Sequence, residues 1–458
     1  MSATALLLRE SGVTVTGSDE GFYPPVSDYL FAAGIQFSNG YKKENIPFDA
    51  DAIVVGRNAK LTPQTNDEVR AAIDSGLPIY SFPDILSNIT RDTDNIVVVG
   101  SYGKSTCAAL MSWILKENNM DPSYFIGEVT NGFAVYAHRG RGSMFVLEGD
   151  EYPSSHWDDR SKFLHYNAKC VLLTSAAHDH VNVFPTHESY LAPFRCLLGG
   201  LPDNGTLVVN GGDRFALNLA SDRNSRIRCV TYGMSDNNAW YPKNIRFGQE
   251  TTFDLCHKER AIVTLSTTLL GAHNVENIVG VSAMLLERGL VTAEGIRAPV
   301  ASFKGVKRRL ECLSEKTLIP VYEGFGSSYE KALSAISAMR LHFKTRRLLV
   351  VFEPHTFTWR NANAIAFYDD VFAEADKVFI FAPASQGADT HSQLTHAEII
   401  SRVLAAGVHC EPILGAEHGL EICRNNITKD DVVLLLTSGS LGGLTKSIPL
   451  FLEEKFPL

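Results

Sequence analysis

One short segment of the sequence combines the residue types that hold a nucleoside triphosphate. Residues 100–106 read Gly-Ser-Tyr-Gly-Lys-Ser-Thr and lie between two apolar runs. A Gly-rich turn that joins a strand to a helix presents backbone N–H groups to phosphate, and Lys104 can reach the terminal phosphates. Ser105 or Thr106 can bind magnesium. The alternative, a plain strand-to-helix turn, gives no reason for the sequence Gly-Lys-Ser-Thr.

A run of carboxylates and a His-Asp-His sequence each follow a strand-like apolar segment. Glu148-Gly-Asp-Glu151 comes after residues 144–147, and His178-Asp-His180 comes after residues 170–174. Open α/β sheets gather ligands at the carboxyl ends of their strands, and clustered carboxylates favour a cation such as Mg²⁺. An imidazole there can serve a second magnesium or a substrate phosphate. The alternatives are an ordinary acidic loop and an inert pair of surface histidines.

Later segments carry side chains suited to a purine and to a phosphoryl group. Residues 271–277 can exchange hydrogen bonds with a purine, although helix capping by Asn274 explains the same pattern. Residues 303–311 contain Lys-Arg-Arg at the predicted start of the last domain. An arginine from a neighbouring domain can neutralise a transferring phosphoryl group, and the alternative is a solvated basic turn. Residues 355–360 and 438–443 follow strands of the last predicted sheet and face its ligand side, unless they are ordinary turns.

The elements that must position these residues are predicted to form three α/β domains. Strand-like and helix-like segments alternate along the chain, which predicts parallel, Rossmann-type sheets. We predict an N-terminal domain over 1–92, a central domain of the P-loop ATPase type over 93–303 and a C-terminal Rossmann-like domain over 304–458. Turn residues around 205–211 predict a strand near a sheet edge. The chain opens on a predicted helix at 3–10, so we expect the first domain to lack its usual first strand and Gly-rich turn.

The composition excludes several classes of partner. Of the 458 residues, 45% are hydrophobic and 20% charged, as in globular proteins. The net charge of -9, without a basic stripe, excludes nucleic acid as a partner. The eight cysteines contain no Cys-x-x-Cys pair, which predicts reduced thiols. No apolar run approaches the ~18 residues of a membrane span. We therefore expect a cytoplasmic protein, either a monomer or a weak homodimer.

Over nearly the whole chain, these motifs occur in the order typical of the Mur ligase family, which the sequence resembles. The resemblance is carried by the shortened phosphate loop, Glu148-Gly-Asp-Glu151, Asp179-His180, His273-Asn274 with Asn277, and Lys307-Arg308-Arg309. Residues 150–152, 159–166 and 305–309 are similar to one branch of the family. That branch joins UDP-N-acetylmuramate to the recycled murein tripeptide L-alanyl-γ-D-glutamyl-meso-diaminopimelate. The resemblance therefore implies an ATP-dependent amide ligase of peptidoglycan recycling that uses Mg²⁺ and these small-molecule substrates.

The resemblance also implies a mechanism and assigns residues to it. The muramate carboxylate attacks the γ-phosphoryl group of ATP, and the peptide amine then displaces phosphate, so negative charge builds in both steps. The implied catalytic residues are Lys104, Glu148, His180 and Arg309, and the implied magnesium ligands are Ser105, Glu148 and His180. The implied ATP-binding residues are Gly100, Ser101, Gly103, Lys104, Ser105, Thr106, His273, Asn274, Asn277, Arg309 and Glu323. The implied substrate-binding residues are Ser18, Asp19, Asn131, Arg160 and Lys162.

The sequence departs from the family pattern in two places. Residues 1–4 align with the helix beyond the family's Gly-rich loop for the UDP diphosphate. Residues 322–329 replace an Asp-rich segment that ends in His-His-Pro, and Glu323 stands for the usual Asp near the ATP ribose. Two alternative functions follow. One is the ligase that adds free L-alanine to the same nucleotide sugar, and the other is a catalytically weakened nucleotide-binding protein, such as a sensor of cell-wall intermediates.

Overall fold

Two compact units make up the chain in a computed structural model that describes residues 1–58, 61–180, 183–224, 226–383 and 392–458. Unit 1 contains Met1–Lys243, Asp254–Leu265 and Val275–Phe303. Unit 2 contains Asn244–Phe253, Ser266–Asn274 and Lys304–Leu458. Each unit is therefore built from segments that are not contiguous in the sequence.

The N-terminal part of unit 1 alternates short strands and helices. Its elements are α1 (Ser2–Glu10), β1 (Thr16–Asp19), α2 (Val26–Ala32), β2 (Gln36–Asn39), β3 (Ile53–Val54), α3 (Asp67–Asp74), β4 (Ile79–Tyr80) and α4 (Phe82–Ile89). Strand β1 pairs with β2 and β3 pairs with β4, both in parallel, as two separate two-stranded sheets. Side-chain caps start the later helices, because Asn66 accepts from two N–H groups of α3 and Ser81 forms a capping box with Asp84 in α4.

A ten-stranded sheet dominates the middle of the chain. Its elements are β5 (Asp94–Val99), α5 (Lys104–Glu117), β6 (Ser123–Phe125), β7 (Ala137–His138), β8 (Met144–Glu148), β9 (Cys170–Leu173), α6 (His187–Gly199), β10 (Thr206–Asn210), α7 (Arg214–Ser221), β11 (Arg228–Tyr232), β12 (Trp240–Arg246), β13 (Thr251–His257), β14 (Arg260–Thr267), α8 (Ala272–Glu287) and α9 (Ala293–Ser302). The strand order is β14-β13-β12-β11-β10-β9-β5-β8-β6-β7. Strand β5 lies in parallel between β8 and β9, so the loop after it is surrounded by the ends of its neighbours.

Residues 205–211 do contain a strand, but the prediction that it lies near a sheet edge was wrong. Strand β10 lies inside the sheet, in parallel between β9 and β11, and all five of its residues are buried. The turn residues around it mark where the strand begins and ends along the chain, and they carry no information about lateral neighbours. The unbroken apolar run was the better indicator, since strands buried on both faces lack alternation.

Unit 2 contains a six-stranded sheet of order β15-β16-β20-β17-β18-β19. Its elements are β15 (Arg309–Cys312), β16 (Val321–Gly324), α10 (Tyr329–His342), β17 (Arg347–Phe352), α11 (Phe357–Arg360), β18 (Lys377–Phe381), α12 (His396–Ala405), β19 (Cys410–Ile413), α13 (Ala416–Asn426), β20 (Asp431–Leu436) and α14 (Leu444–Lys455). Among the described strands of this sheet, β15 alone is antiparallel to its neighbour. Alternate residues of β17 enter two hydrophobic clusters, because successive side chains of a strand point to opposite faces.

The predicted α/β class with parallel sheets is confirmed. Within the residues that the structure describes, no helix combines the length and the apolar character needed to cross a membrane.

Candidate active site

The predicted phosphate loop connects the end of β5 to the start of α5. Gly100 and Gly103 have φ angles of 137° and 81°, which favour glycine over residues with a Cβ. A Cβ on Gly100 would lie 2.7 Å from the backbone nitrogen of Ser175, and one on Gly103 would lie 2.7 Å from Asn277 Oδ1. Both glycines are therefore required by backbone conformation and by close packing. The loop presents the N-terminus of a fourteen-residue helix, where N–H groups and the helix dipole favour phosphate.

Lys104 folds back over its own loop. Its Nζ donates to the carbonyl oxygen of Gly100 at 2.6 Å and lies 3.1 Å from Glu151 Oε2. The lysine side chain is 14% exposed and that of Glu151 is 2% exposed, so this ion pair is largely shielded from water. Lys104 therefore places a positive charge at the loop, as its predicted role requires.

Ser105 and Glu148 meet because β8 lies next to β5. Glu148 Oε1 accepts from Ser105 Oγ at 2.7 Å, and Oε2 accepts from the backbone N–H of Gly127 at 2.6 Å. Desolvation by the surrounding protein raises the pKa of Glu148, and the bonds to Gly127 and Ser105 partly oppose that shift. A hydroxyl and a carboxylate oxygen at this separation fit Mg²⁺, which prefers hard oxygen ligands. No cluster of three or more His, Cys, Asp or Glu side chains in the described ranges could hold a metal by itself.

His180 lies after β9 and contacts Glu151. Its Nε2 is 2.9 Å from Glu151 Oε1, and its Nδ1 is 2.9 Å from the hydroxyl of Tyr152. The hydrogen bond to Glu151 is the largest cause of the raised pKa of His180. Burial alone would raise the pKa of Glu151, but His180 and Lys104 together lower it. A chain of contacts thus runs from Tyr152 through His180 and Glu151 to Lys104.

Glu151 and Tyr152 were not assigned roles from the sequence. The motif Glu148-Gly-Asp-Glu151 did show three carboxylates, but the family correspondence selected only the first. In the structure, Glu148 is bonded to the start of α5 and Glu151 is bonded to Lys104 and His180. The two ends of one acidic motif therefore serve different parts of the loop.

Three further predicted ATP-binding residues of unit 1 pack around the loop. Ser101 Oγ donates to the carbonyl oxygen of Ala177 at 2.5 Å and lies 2.9 Å from the hydroxyl of Tyr190. Thr106 is buried in the first turn of α5. Asn277, in α8, accepts from the thiol of Cys107 at 3.4 Å and packs against Gly103. These contacts fix the shape of the loop.

Ser18 and Asp19 lie at the end of β1, in the N-terminal part of unit 1. Ser18 Oγ donates to Glu68 Oε1 at 2.6 Å. Asp19 Oδ1 accepts from the backbone N–H of Glu20 at 2.7 Å and from the hydroxyl of Tyr41 at 3.0 Å. Desolvation and the bond to Asp19 raise the pKa of Tyr41 to about 12. Glu68 and Tyr41 were not assigned roles from the sequence, although their hydrogen bonds orient the side chains of Ser18 and Asp19.

The other predicted substrate residues differ in their surroundings. Arg160 forms a bidentate pair with Asp158, which lowers the pKa of Asp158 to about 2. Lys162 Nζ lies 2.5 Å from Asp150 Oδ2 and 5.2 Å from the ring centre of Phe82. Asn131 lies in the segment between β6 and β7. Lys162 is thereby brought to the acidic motif, whereas the contacts of Arg160 are local.

Unit 2 contains the remaining predicted ATP-binding residues. Asn274 lies inside α8, so the capping alternative was wrong, and its Nδ2 donates to the carbonyl oxygen of Leu270 at 2.8 Å. The pKa of His273 is lowered to about 4, mainly by desolvation and then by the charges of His342 and Arg309. Glu323 Oε1 accepts from Arg308 Nε at 3.0 Å, a partner that was not assigned a role from the sequence. Arg309 is exposed at the start of β15.

Residues 355–360 and 438–443, which were predicted to lie on the ligand side of the last sheet, do come together. Glu353, at the end of β17, accepts from the hydroxyl of Thr437 and from the backbone N–H of Leu441 at 2.8 Å. His355 Nδ1 lies 3.7 Å from Glu353 Oε1. The carboxyl ends of β17 and β20 are thus joined through one buried carboxylate.

Comparison with known proteins adds to this geometry. Residues 98–285 match the profile of the Mur ligase middle domain, and residues 1–93 match that of the Mur ligase family catalytic domain. An Escherichia coli UDP-N-acetylmuramate--L-alanyl-γ-D-glutamyl-meso-2,6-diaminoheptandioate ligase is 29% identical, over 84% of this chain and 83% of the relative. A Hydrogenobaculum UDP-N-acetylmuramate--L-alanine ligase is 27% identical, over 96% of this chain and 94% of the relative.

The fold is also shared with a solved structure. The UDP-N-acetylmuramate-alanine ligase of Thermotoga maritima superposes with a TM-score of 0.78 at 18% identity, over 99% of this chain and 97% of that one. This likeness confirms the predicted fold class. Since the two matching profiles together span more than half of the sequence, the chain belongs to the Mur ligase family of ATP-dependent amide ligases.

Proposed function

We propose that this protein uses ATP to join UDP-N-acetylmuramate to the murein tripeptide L-alanyl-γ-D-glutamyl-meso-diaminopimelate in peptidoglycan recycling. The observation that carries the proposal is the contact between the phosphate loop and the end of β8, where Ser105 Oγ and Glu148 Oε1 lie 2.7 Å apart. Two observations support the choice of substrate. The E. coli relative is named for this reaction, and residues 150–152 and 159–166 are similar to the tripeptide-joining branch of the family.

The loop residues would act on the reacting phosphoryl group. Lys104 would exchange its bond to the Gly100 carbonyl for the terminal phosphate oxygens, while Glu151 keeps the ammonium group in place. Ser105 and Glu148 would hold Mg²⁺, and His180 would help with a second magnesium, as the resemblance implies, once its Nε2 is released from Glu151. When bound, the metal would neutralise charge on the phosphate oxygens.

In unit 2, the roles of the predicted ATP-binding residues rest on the family resemblance. Arg309 would meet negative charge on the transferring group, and His273 with Asn274 would contact adenine. A neutral His273, as its low pKa implies, can both donate and accept hydrogen bonds. Glu323 would lie near the ribose, as the resemblance implies, while its Oε1 accepts from Arg308.

The substrate-binding roles follow the same resemblance. Ser18 and Asp19 would face the UDP portion, and Asn131 with Lys162 the muramate side. Arg160 would contact the substrate only after its ion pair with Asp158 is broken. We further propose a cytoplasmic enzyme, a monomer or weak homodimer, that acts on small molecules and needs no nucleic acid or membrane partner.

The test is an assay of the purified protein with ATP, Mg²⁺, UDP-N-acetylmuramate and the tripeptide. We expect ADP and phosphate to be released only when both substrates are present, with one new amide product in a mass spectrum. Phosphate release that does not depend on the peptide would contradict the proposal.

The second candidate is the ligase that adds free L-alanine, which the Hydrogenobaculum relative favours. Replacing the tripeptide by L-alanine in the same assay separates the two reactions. Nucleotide binding without turnover on either acceptor would instead indicate a weakened binding protein.

A further inference from the structure

We propose that Arg308 is a positioning residue that determines how its neighbour Arg309 is presented to the nucleotide. The inference rests on the proposed function, because the role of Arg309 is part of it. Two adjacent arginines look equivalent in the sequence. In unit 2 their burial differs, since Arg308 is half-buried with its guanidinium against Glu323 and Gly439, whereas Arg309 is exposed.

The guanidinium of Arg308 is anchored on several sides. Its Nε donates to Glu323 Oε1 at 3.0 Å, and its Nη2 donates to the carbonyl oxygens of Gly439 at 2.8 Å and Thr437 at 3.3 Å. The guanidinium carbon lies 5.1 Å from the ring centre of Phe325. Through these contacts, the segment just before β15 is attached to the ends of β16 and β20. A lysine could reproduce one of them but not the planar fork.

The backbone around Arg309 is held in an unusual conformation. Arg308 and Leu310 have φ angles of 63° and 54°, in the left-handed region that disfavours residues with a Cβ. The pairing of β15 with β16 is irregular at the same place, because Arg309 faces Gly324 while Glu311 faces Glu323. Such a conformation persists only where surrounding contacts enforce it. The backbone N–H of Arg308 also donates to Glu311 Oε2 at 2.9 Å.

The charged groups near Arg308 and Arg309 also indicate that the two arginines have different roles. Burial raises the pKa of Glu323, and Arg308 opposes that shift. Arg308 is thus committed to a partly desolvated carboxylate, while the charge of Arg309 reaches His273, another predicted nucleotide contact. Loss of Arg308 would leave Glu323 without its cation and would release the backbone that orients Arg309.

A double-mutant cycle tests whether Arg308 acts through Arg309. The variants are Arg308→Ala, Arg309→Ala and the double variant, with Lys307→Ala as a control that removes one exposed charge from the same turn. Affinity for a non-hydrolysable ATP analogue is measured by calorimetry. We expect either single change to weaken binding by about tenfold, and Arg308→Ala to add less than about twofold in the Arg309→Ala background. Lys307→Ala should bind as the wild type does.

Further measurements separate positioning from folding. Thermal unfolding of each variant shows whether Arg308→Ala remains folded, and Arg308→Lys replaces it in the cycle if it does not. We expect Arg308→Lys to recover part of the binding. Additive losses in the cycle, or unchanged binding in Arg308→Ala, would overturn the inference.

The binding readout also separates this inference from the proposed function. If the wild type binds the analogue but shows no peptide-dependent phosphate release, the proposed function fails and the cycle still decides the role of Arg308. If the wild type does not bind the analogue, both fail.

Discussion

The ammonium group of Lys104 is held at the phosphate loop by acceptors that a nucleotide can partly replace. The carbonyl of Gly100 belongs to the loop itself, whereas Glu151 accepts from Lys104 through Oε1 and pairs with His180 through the same oxygen. Because the carboxylate of Glu151 also pairs with His180, it keeps Lys104 in place without neutralising all the positive charge of the loop. The carboxylate therefore limits the positions that the lysine can take.

Replacement of Lys104 by alanine should abolish turnover with little loss of folding. We expect ATP turnover to fall by at least about 100-fold, because a charge aimed at the transferring phosphoryl group is lost. We expect the free energy of unfolding to fall by no more than about 2 kcal/mol, since His180 still pairs with Glu151. Phosphate release and thermal unfolding check these values. Lys116→Ala, near the other end of α5, is the matched control, and wild-type activity in Lys104→Ala would refute the assignment.

The sequence identified some of these residues and missed others for physical reasons. Ser105 and Glu148 could be paired because both follow apolar strands whose carboxyl ends share one sheet edge. The bond between Glu151 and His180 could not, since it depends on the conformation of His180, whose φ is 54°. The family resemblance selected Arg309 for the nucleotide, but the contacts of Arg308 could not be foreseen, because they depend on the left-handed backbone conformation of that residue.

At the scale of elements, a histidine joins α1 to the central sheet. His138 Nδ1, at the end of β7, lies 3.1 Å from Glu10 Oε1 at the end of α1, and the backbone N–H of Arg139 donates to the same carboxylate. Asp121 lies 3.7 Å from Nε2. The hydrogen bond to Glu10 is the largest cause of the raised pKa of His138.

This pair predicts a pH-dependent contribution to stability. Because the folded pKa lies above the unfolded value of 6.5, the contribution is complete below that value and is lost as the pH rises through the folded pKa. We expect His138→Gln to lower the free energy of unfolding at about pH 6 by no more than about 1 kcal/mol, and by less at about pH 9. Denaturant unfolding at the two pH values measures this.

Glu10→Gln is the matched control, and it should show the same dependence on pH because it removes the other member of the pair. Equal decreases in the free energy of unfolding at both pH values would mean that the charge of His138 contributes nothing to stability.

Local signals in the sequence located most elements but not their neighbours. The strand-like segments at 144–147 and 170–174 correspond to β8 (Met144–Glu148) and β9 (Cys170–Leu173) within one residue, because apolar runs flanked by turns are unambiguous. Strand β1 lies at Thr16–Asp19, where only one of the four residues is even partly buried. Such an exposed strand has little apolar pattern to show. The position of β10 inside the sheet depends on pairings that no local segment encodes.

At the scale of the whole molecule, unit 2 depends on two segments that precede its main part in the sequence. His342 Nε2 accepts from the backbone N–H of Gly271 at 2.8 Å, and its Nδ1 donates to the carbonyl oxygen of Gly248 at 2.6 Å. Leu270 belongs to the hydrophobic cluster of this unit. Both segments are therefore part of its fold.

A fragment of residues 304–458 should consequently fold poorly. We expect it to melt at a lower temperature and to bind a hydrophobic dye, because it lacks both hydrogen-bond partners of His342 and the side chain of Leu270. A fragment of residues 244–458, which retains both segments, is the control and should be more stable. Equal, cooperative melting of the two fragments would contradict the prediction.

The interleaved order of the two units also affects the way the protein is made. A ribosome releases Asn244–Phe253 and Ser266–Asn274 before any of Lys304–Leu458, the part of the chain against which they pack. Until then, Leu270 has no partner from that part, and exposed apolar side chains favour aggregation and chaperone binding. Unit 2 can be completed only near the end of translation, so slow synthesis of the last third of the chain would prolong this vulnerable state.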